Sequence, residues 1–112
     1  MSQLTTHILD TTKGKPAADV KVILFQQERD SWKQIAIGTT NADGRVTDLL
    51  KKDTRLAADT YKLRFETDPY FSQQGVQSFY PFIEIVFQVT SAEHYHVPLL
   101  LNPFGYSTYR GS

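Results

Sequence analysis

The chain of 112 residues has no cysteine, which excludes disulfides, thiol nucleophiles and thiolate metal sites. It has no excess charge either. Twelve Lys and Arg balance twelve Asp and Glu, the sequence pI is near 6.8, and like charges never gather into a run. The electrostatic footprint of a nucleic-acid or membrane-surface binder is therefore missing, and neither partner is expected. Long apolar runs are absent too: the longest, Val97 to Leu101, is far short of the roughly 20 residues that span a bilayer. The N-terminal stretch Met1 to Asp10 has no basic segment followed by a long apolar one, so it does not read as a secretory signal and a cytoplasmic location is the default expectation. At this length a single domain, residues 1–112, is expected. Its core is large enough to fold but small enough that assembly into an oligomer would help.

What is present is strand chemistry. Runs of four to eight residues rich in Val, Ile, Thr, Tyr and Phe recur between Gly, Pro, Asn and Asp, the punctuation of an all-β sandwich. The pattern predicts about eight strands: Thr5 to Asp10, Val20 to Gln27, Trp32 to Thr40, a short piece near Val46 to Leu49, Thr60 to Glu66, Phe82 to Val89, His94 to Leu101, and Tyr106 to Arg110. Lys13-Gly14-Lys15-Pro16 should close the first strand, Asn41-Ala42-Asp43-Gly44 should form a type I turn with glycine at positive φ, and Asn102-Pro103-Phe104-Gly105 should join the last two strands as a hairpin. One short helix is expected at Asp68 to Gln74, with Asp68 as N-cap, Pro69 at the first helical position and Gly75 as stop. Val20, Val22 and Leu24, with Ile83, Ile85 and Phe87, alternate as inward-facing residues. Pro98 conflicts with its strand because it cannot donate to a ladder, which calls for a bulge or a gap beside it.

Few polar residues stand out against such a sandwich. His7 shares a strand face with Thr5 and Leu9, while Leu4, Thr6 and Ile8 take the other. His94 and His96 share a face of the penultimate strand. H-x-H on a strand can chelate a metal, but no cysteine or third ligand accompanies it, so no metal site is assigned. Arg45 follows the Asp43-Gly44 turn and by itself reads as a solvated loop charge. The C-terminal Tyr106 to Ser112 keeps its polar, aromatic, strand-like character to the last residue, whereas chain ends usually fray. An ordered end would hold a terminal carboxylate at Ser112.

Several of these segments resemble the 5-hydroxyisourate hydrolases, the enzymatic relatives of transthyretin. They are Leu4-Thr5-Thr6-His7-Ile8-Leu9-Asp10-Thr11 with Gly14, Pro16 and Ala17; Asp43-Gly44-Arg45; Tyr80-Pro81-Phe82; and His94 to Leu101 through Tyr109-Arg110-Gly111-Ser112. The closing Tyr-Arg-Gly-Ser is the most specific element, since the carrier transthyretin lacks it and the strand histidines. The resemblance implies an all-β fold, an eight-stranded two-sheet transthyretin-like (prealbumin-like) sandwich with one short helix, assembled as a homotetramer, a dimer of dimers around a central channel. It implies no cofactor and no metal. It assigns His7, Arg45 and His96 to catalysis, and His7, Arg45, Tyr109, Arg110 and Ser112 to substrate binding.

The implied reaction is hydrolysis of 5-hydroxyisourate, a planar small-molecule substrate, to 2-oxo-4-hydroxy-4-carboxy-5-ureidoimidazoline in urate catabolism. No serine or threonine reads as an activated nucleophile with a neighbouring base, which favours direct attack by water. A histidine near neutral pH is the natural base for it. His7 and His96 are the candidates, with the division of labour between them open, and Arg45 would bind and polarise the carbonyl oxygens. Two rival readings are a non-catalytic carrier of a small aromatic ligand in the same channel and a β-sandwich adhesion or scaffold module that uses its edge strands.

Overall fold

A computed structural model describes residues 2–112. Among them, in chain order, are β1 Leu4–Asp10, β2 Lys15–Pro16, β3 Lys21–Glu28, β4 Ser31–Thr39, β5 Arg45–Val46, β6 Asp59–Phe65, α1 Thr67–Ser72, β7 Ile83–Val89, β8 Tyr95–Asn102 and β9 Gly105–Thr108. One sheet runs β2-β1-β8-β9, with β5 also paired to β1; the other runs β4-β3-β6-β7. The two-sheet, nearly all-β architecture matches the expectation from strand periodicity.

Alternation decides which residues meet between the sheets. From the first sheet Leu4, Ile8, Val97, Leu99 and Leu101 are buried, and from the second Val22, Leu24, Leu63, Phe65 and Ile83. Each such side chain contributes about 1.5–3 kcal/mol by leaving water. Thr6 is a polar residue on this inner face, and its hydroxyl is paired: Oγ1 donates to the Val97 carbonyl at 2.6 Å. The opposite, outer face of the same sheet carries Thr5, His7 and Leu9 from β1 and His96, Pro98 and Leu100 from β8.

Two pairings of β1 matter for function. It lies parallel to β8 with Thr5 opposite His96 and His7 opposite Pro98. On its other edge it lies antiparallel to β5, with His7 opposite Arg45. The turn before β5 enforces this second contact. Gly44 N–H donates to the Asn41 carbonyl at 2.9 Å, closing a four-residue turn where one was expected, and Ile8 N–H donates to the Gly44 carbonyl at 2.8 Å. Gly44 has φ +72, and a Cβ there would fall 2.6 Å from the Ile8 carbonyl oxygen. Only glycine allows the turn to press this closely on β1.

Several boundaries differ from the sequence reading. Among the described residues nine strands are formed, not eight, because Lys15 and Pro16 pair back onto Leu9 and Asp10; the turn is shifted toward Thr11 to Gly14. β5 ends at Val46, since Leu49 and Leu50 serve the core rather than a ladder. The helix starts at Thr67, and its N-cap is Glu66 without a side-chain cap, not Asp68. Pro69 is tolerated at the third helical position because first-turn N–H groups have no intrahelical acceptor. Gly75 is at positive φ just beyond the helix, as expected of a stop. The helix is tied to β1 instead: Tyr70 Oη donates to Asp10 Oδ2 at 2.8 Å, while Asp10 Oδ1 accepts the N–H groups of Thr12 and Lys13 at 3.0 and 3.2 Å.

Pro98 meets a gap. β9 ends at Thr108, opposite Leu99, although Tyr106 to Arg110 reads as one strand from sequence. Pairing resumes only at a single bridge between His96 and Gly111. In an extended strand the N and carbonyl of one residue face the same neighbour, and the Pro98 carbonyl accepts from Thr108 Oγ1 at 2.7 Å. The missing donor of Pro98 therefore faces β9 where Tyr109 and Arg110 have left the ladder.

Candidate active site

The outer face of the first sheet gathers groups from three distant stretches of chain. β1 supplies His7, β5 brings Arg45 beside it, and β8 supplies His96 two residues, about 7 Å, along the face from the Pro98 that pairs with His7. Both imidazoles are half-buried and Arg45 is exposed.

Burial and then the Arg45 charge lower the His7 pKa below its ordinary 6.5, against the opposite pull of the Asp43 carbonyl and carboxylate. His96 is also lowered, by burial first and then by the Arg45, His94 and His7 charges; the Thr5 carbonyl opposes them. The Arg45 charge acts on both rings and His7 acts on His96, so the three lie in one electrostatic neighbourhood. Both rings are consequently neutral at pH 7, the form in which imidazole accepts a proton.

The C-terminal segment packs on His96. Gly111 N–H donates to the His96 carbonyl at 2.8 Å, and a Cβ on Gly111 would lie 2.6 Å from His96 Cδ2. Gly111 is thus a flat shelf against the imidazole. Ser112 lies one residue beyond this bridge and is exposed. Tyr109, 59 % exposed, lines a cleft of about 330 Å³ that opens between β7 and the chain end, bordered by Ile85, Phe87, Tyr95, His96 and Arg110. The cleft shares His96 with the outer histidine face but includes neither His7 nor Arg45.

Arg110 borders the same cleft as His96 but turns to other partners. It forms an ion pair with Glu93 at 2.5 Å and lies over the Tyr95 ring at 4.5 Å from its centroid, on the inter-sheet side. His94 shares the face of His96 and stacks on it, ring centroids 6.4 Å apart. Among the described residues no cluster of three His, Asp or Glu side chains is arranged to hold a metal ion. Sequence reasoning did not single out Thr5, whose Oγ1 lies 2.8 Å from His96 Nδ1 and 3.0 Å from His94 Nε2, and it included Gly111 only as part of the closing Tyr-Arg-Gly-Ser. The one sequence signal for Thr5 is its shared face with His7; its partner is fixed by the parallel β1–β8 register.

Comparison with known proteins shows the family and the fold. The family model described as "Transthyretin: HIUase/Transthyretin family" matches residues 4–111. A probable 5-hydroxyisourate hydrolase of Schizosaccharomyces pombe is 47% identical, over 97% of this chain and 90% of the relative. The 5-hydroxyisourate hydrolase of Mus musculus is 44% identical, over 99% of this chain and 96% of the relative. Among solved structures, the 5-hydroxyisourate hydrolase of Klebsiella pneumoniae superposes with a TM-score of 0.86 at 38% identity, covering 97% of this chain and 98% of that one. Sea bream transthyretin in complex with thyroxine superposes with a TM-score of 0.91 at 35% identity, covering 98% and 95%. With the match spanning nearly the whole chain, the protein belongs to the HIUase/Transthyretin family.

Proposed function

We propose that this chain is a hydrolase that opens 5-hydroxyisourate to 2-oxo-4-hydroxy-4-carboxy-5-ureidoimidazoline in purine catabolism. The observation that carries the reading is the convergence of two neutral imidazoles and a guanidinium on one sheet face. One imidazole takes a proton from water as it attacks the ring amide, and the other orients that water or delivers a proton to the departing nitrogen. Positioned general-base help is worth roughly a hundred- to ten-thousand-fold. Arg45 offers a fixed fork of donors to the substrate carbonyls and to the charge that develops on them. Tyr109 lines the cleft beside His96 and, with Ser112, would shape the pocket, while Arg110 holds the C-terminal segment through Glu93.

The active unit is a homotetramer in this reading. β7 and β9 are sheet edges with one neighbour each, which leaves a row of donors and acceptors for a second copy. The histidine face is open in a single chain, and a facing dimer would turn it into a channel that shelters the substrate from bulk solvent. Sedimentation checks the assembly: a monomer at micromolar concentration refutes it.

A carrier of a small aromatic ligand is the second reading, favoured by the likeness to sea bream transthyretin, a protein solved with thyroxine. The sheet geometry fits both, and the residues on the face decide between them. Two titratable rings and a guanidinium suit a polar heterocycle better than an apolar ligand. The test is ultraviolet absorbance of freshly oxidised urate. Faster decay of the intermediate with the protein present supports the hydrolase, and an unchanged decay refutes it.

A further inference from the structure

Thr5 is 6% exposed and sits opposite His96 in the parallel β1–β8 register. Its hydroxyl behaves unlike that of its neighbour Thr6, which donates to a backbone carbonyl. Thr5 Oγ1 lies instead between two rings, 2.8 Å from His96 Nδ1 and 3.0 Å from His94 Nε2. The rings are inclined by 17°, so a single oxygen bridges them. His96 is half-buried and His94 is exposed.

A hydroxyl has one proton to donate and lone pairs to accept with. Between two imidazole nitrogens it donates to one and accepts from the other, so the tautomers of the two rings are locked as complements. If His96 is to take a proton at Nε2, its proton must reside on Nδ1, donated to Thr5; Thr5 then donates to His94 Nε2. Nε2 of His96 makes no hydrogen bond among the described residues, so it is available to water.

We propose that Thr5 is a positioning residue at the centre of a proton relay, His96 Nδ1 to Thr5 Oγ1 to His94 Nε2, which sets the tautomer of the general base and connects it to solvent. The inference rests on the hydrolase reading and places the base at His96. The protons balance. As water attacks, His96 Nε2 gains a proton; the Nδ1 proton passes to Thr5 and the Thr5 proton passes to His94 Nε2. His96 is left neutral with its proton on Nε2, and His94, now cationic, releases its Nδ1 proton to bulk water. The reverse shift delivers the Nε2 proton of His96 to the ring nitrogen and resets the chain. No redox partner or leaving group other than the substrate's own nitrogen is needed. The charged and titratable groups facing His96 are His94 on its own strand, His7 on β1 and Arg45 on β5, while Gly111 presents only backbone to its other edge. None of the first three can replace the Thr5 hydroxyl at Nδ1.

The experiment compares the full-length protein with Thr5→Val, which keeps the shape and loses the hydroxyl, Thr5→Ser, which restores it, and His94→Asn. Nitrogen-15 NMR of the imidazoles in the substrate-free protein reads the His96 tautomer, and steady-state kinetics read kcat and KM separately. The expected result is a wild-type His96 protonated at Nδ1 and, in Thr5→Val, a mixed tautomer with kcat down about ten- to a hundredfold and KM within twofold. Thr5→Ser should return both. In His94→Asn, kcat should become dependent on buffer concentration, because solvent carriers then replace the missing ring. An active wild type whose tautomer and kcat are unmoved by Thr5→Val overturns the relay alone, as does a Thr5→Ser variant as impaired as Thr5→Val, which marks a packing role. A wild-type protein that holds the tautomer but leaves the substrate untouched overturns the hydrolase reading, and the relay's catalytic purpose with it.

Discussion

Gly111→Ala tests whether the C-terminal segment shapes the site through contact with His96. The added Cβ would stand 2.6 Å from His96 Cδ2 and 3.2 Å from Pro98 Cγ, where ordinary contact begins near 3.4 Å, a shortfall of about 0.8 Å at the ring. Pro98 is locked in the sheet, so either the imidazole swings away or the chain end lifts. The end is held locally by one backbone hydrogen bond, Gly111 N–H to the His96 carbonyl, worth about 0.5–1.5 kcal/mol. Stability should therefore fall by no more than about 1.5 kcal/mol, while an imidazole displaced by most of an ångström should lower kcat by roughly a hundredfold. Thermal melting and the absorbance assay, run on the same preparation, separate the two effects. Unaltered kcat with an unaltered melting temperature would refute the shelf. A large loss of stability would mean that Gly111 supports the fold rather than the ring.

Both histidines are lowered from 6.5, by burial and then by Arg45, so the rings stay neutral as pH falls through 6.5 and the acid limb of kcat/KM should lie below that value. In Arg45→Gln one cause of the shift is gone and the limb should move up toward 6.5; a limb that stays put means the guanidinium does not act on the rings. The same depression makes folding lose stability as pH drops below 6.5, because the unfolded chain then binds protons that the folded rings refuse; urea midpoints measured across that window check it. Arg45→Lys keeps the charge but not the fork, and should lower kcat/KM with the limb unmoved. His96→Asn should remove most turnover while circular dichroism stays that of the wild type, and near-normal turnover would retire His96 as base. Asp10→Asn disturbs a buried carboxylate that accepts Tyr70 Oη and two backbone N–H groups, so it should cost about 1–3 kcal/mol in urea unfolding with kcat unchanged. Tyr70 is pushed up to about 12 by burial and then by Asp10; a phenol raised in this way supports the fold below pH 10 and loses that support as pH rises through 12. Alkaline unfolding of Tyr70→Phe should lack that loss.

The sequence by itself determined the two-sheet architecture, because period-two alternation in Val20 to Leu24 and Ile83 to Phe87 leaves only one face of each strand able to leave water. It also set the turn at Asn41 to Gly44, where a positive-φ glycine carries its own signal. Its chemistry singled out the groups of the candidate site, His7, Arg45 and His96, as side chains that a plain sandwich does not need. The short elements escaped it. β2 is held by register against β1 rather than by propensity, and the helix begins at Thr67 because the chain leaves β6 there, not because Asp68 prefers a cap. Only the tertiary structure decided which partners meet. The pairing of β1 with β8 is parallel and joins residues about 90 positions apart, and nothing local encodes which residue of one strand faces which of the other. That register puts Thr5 under His96 and His94, sets Pro98 beside the gap left by Tyr109 and Arg110, and brings Gly111 against an imidazole, while Arg110 turns to Glu93. Face is a property of one strand and is written in its period, whereas register belongs to two strands and is settled by the packing of the whole core.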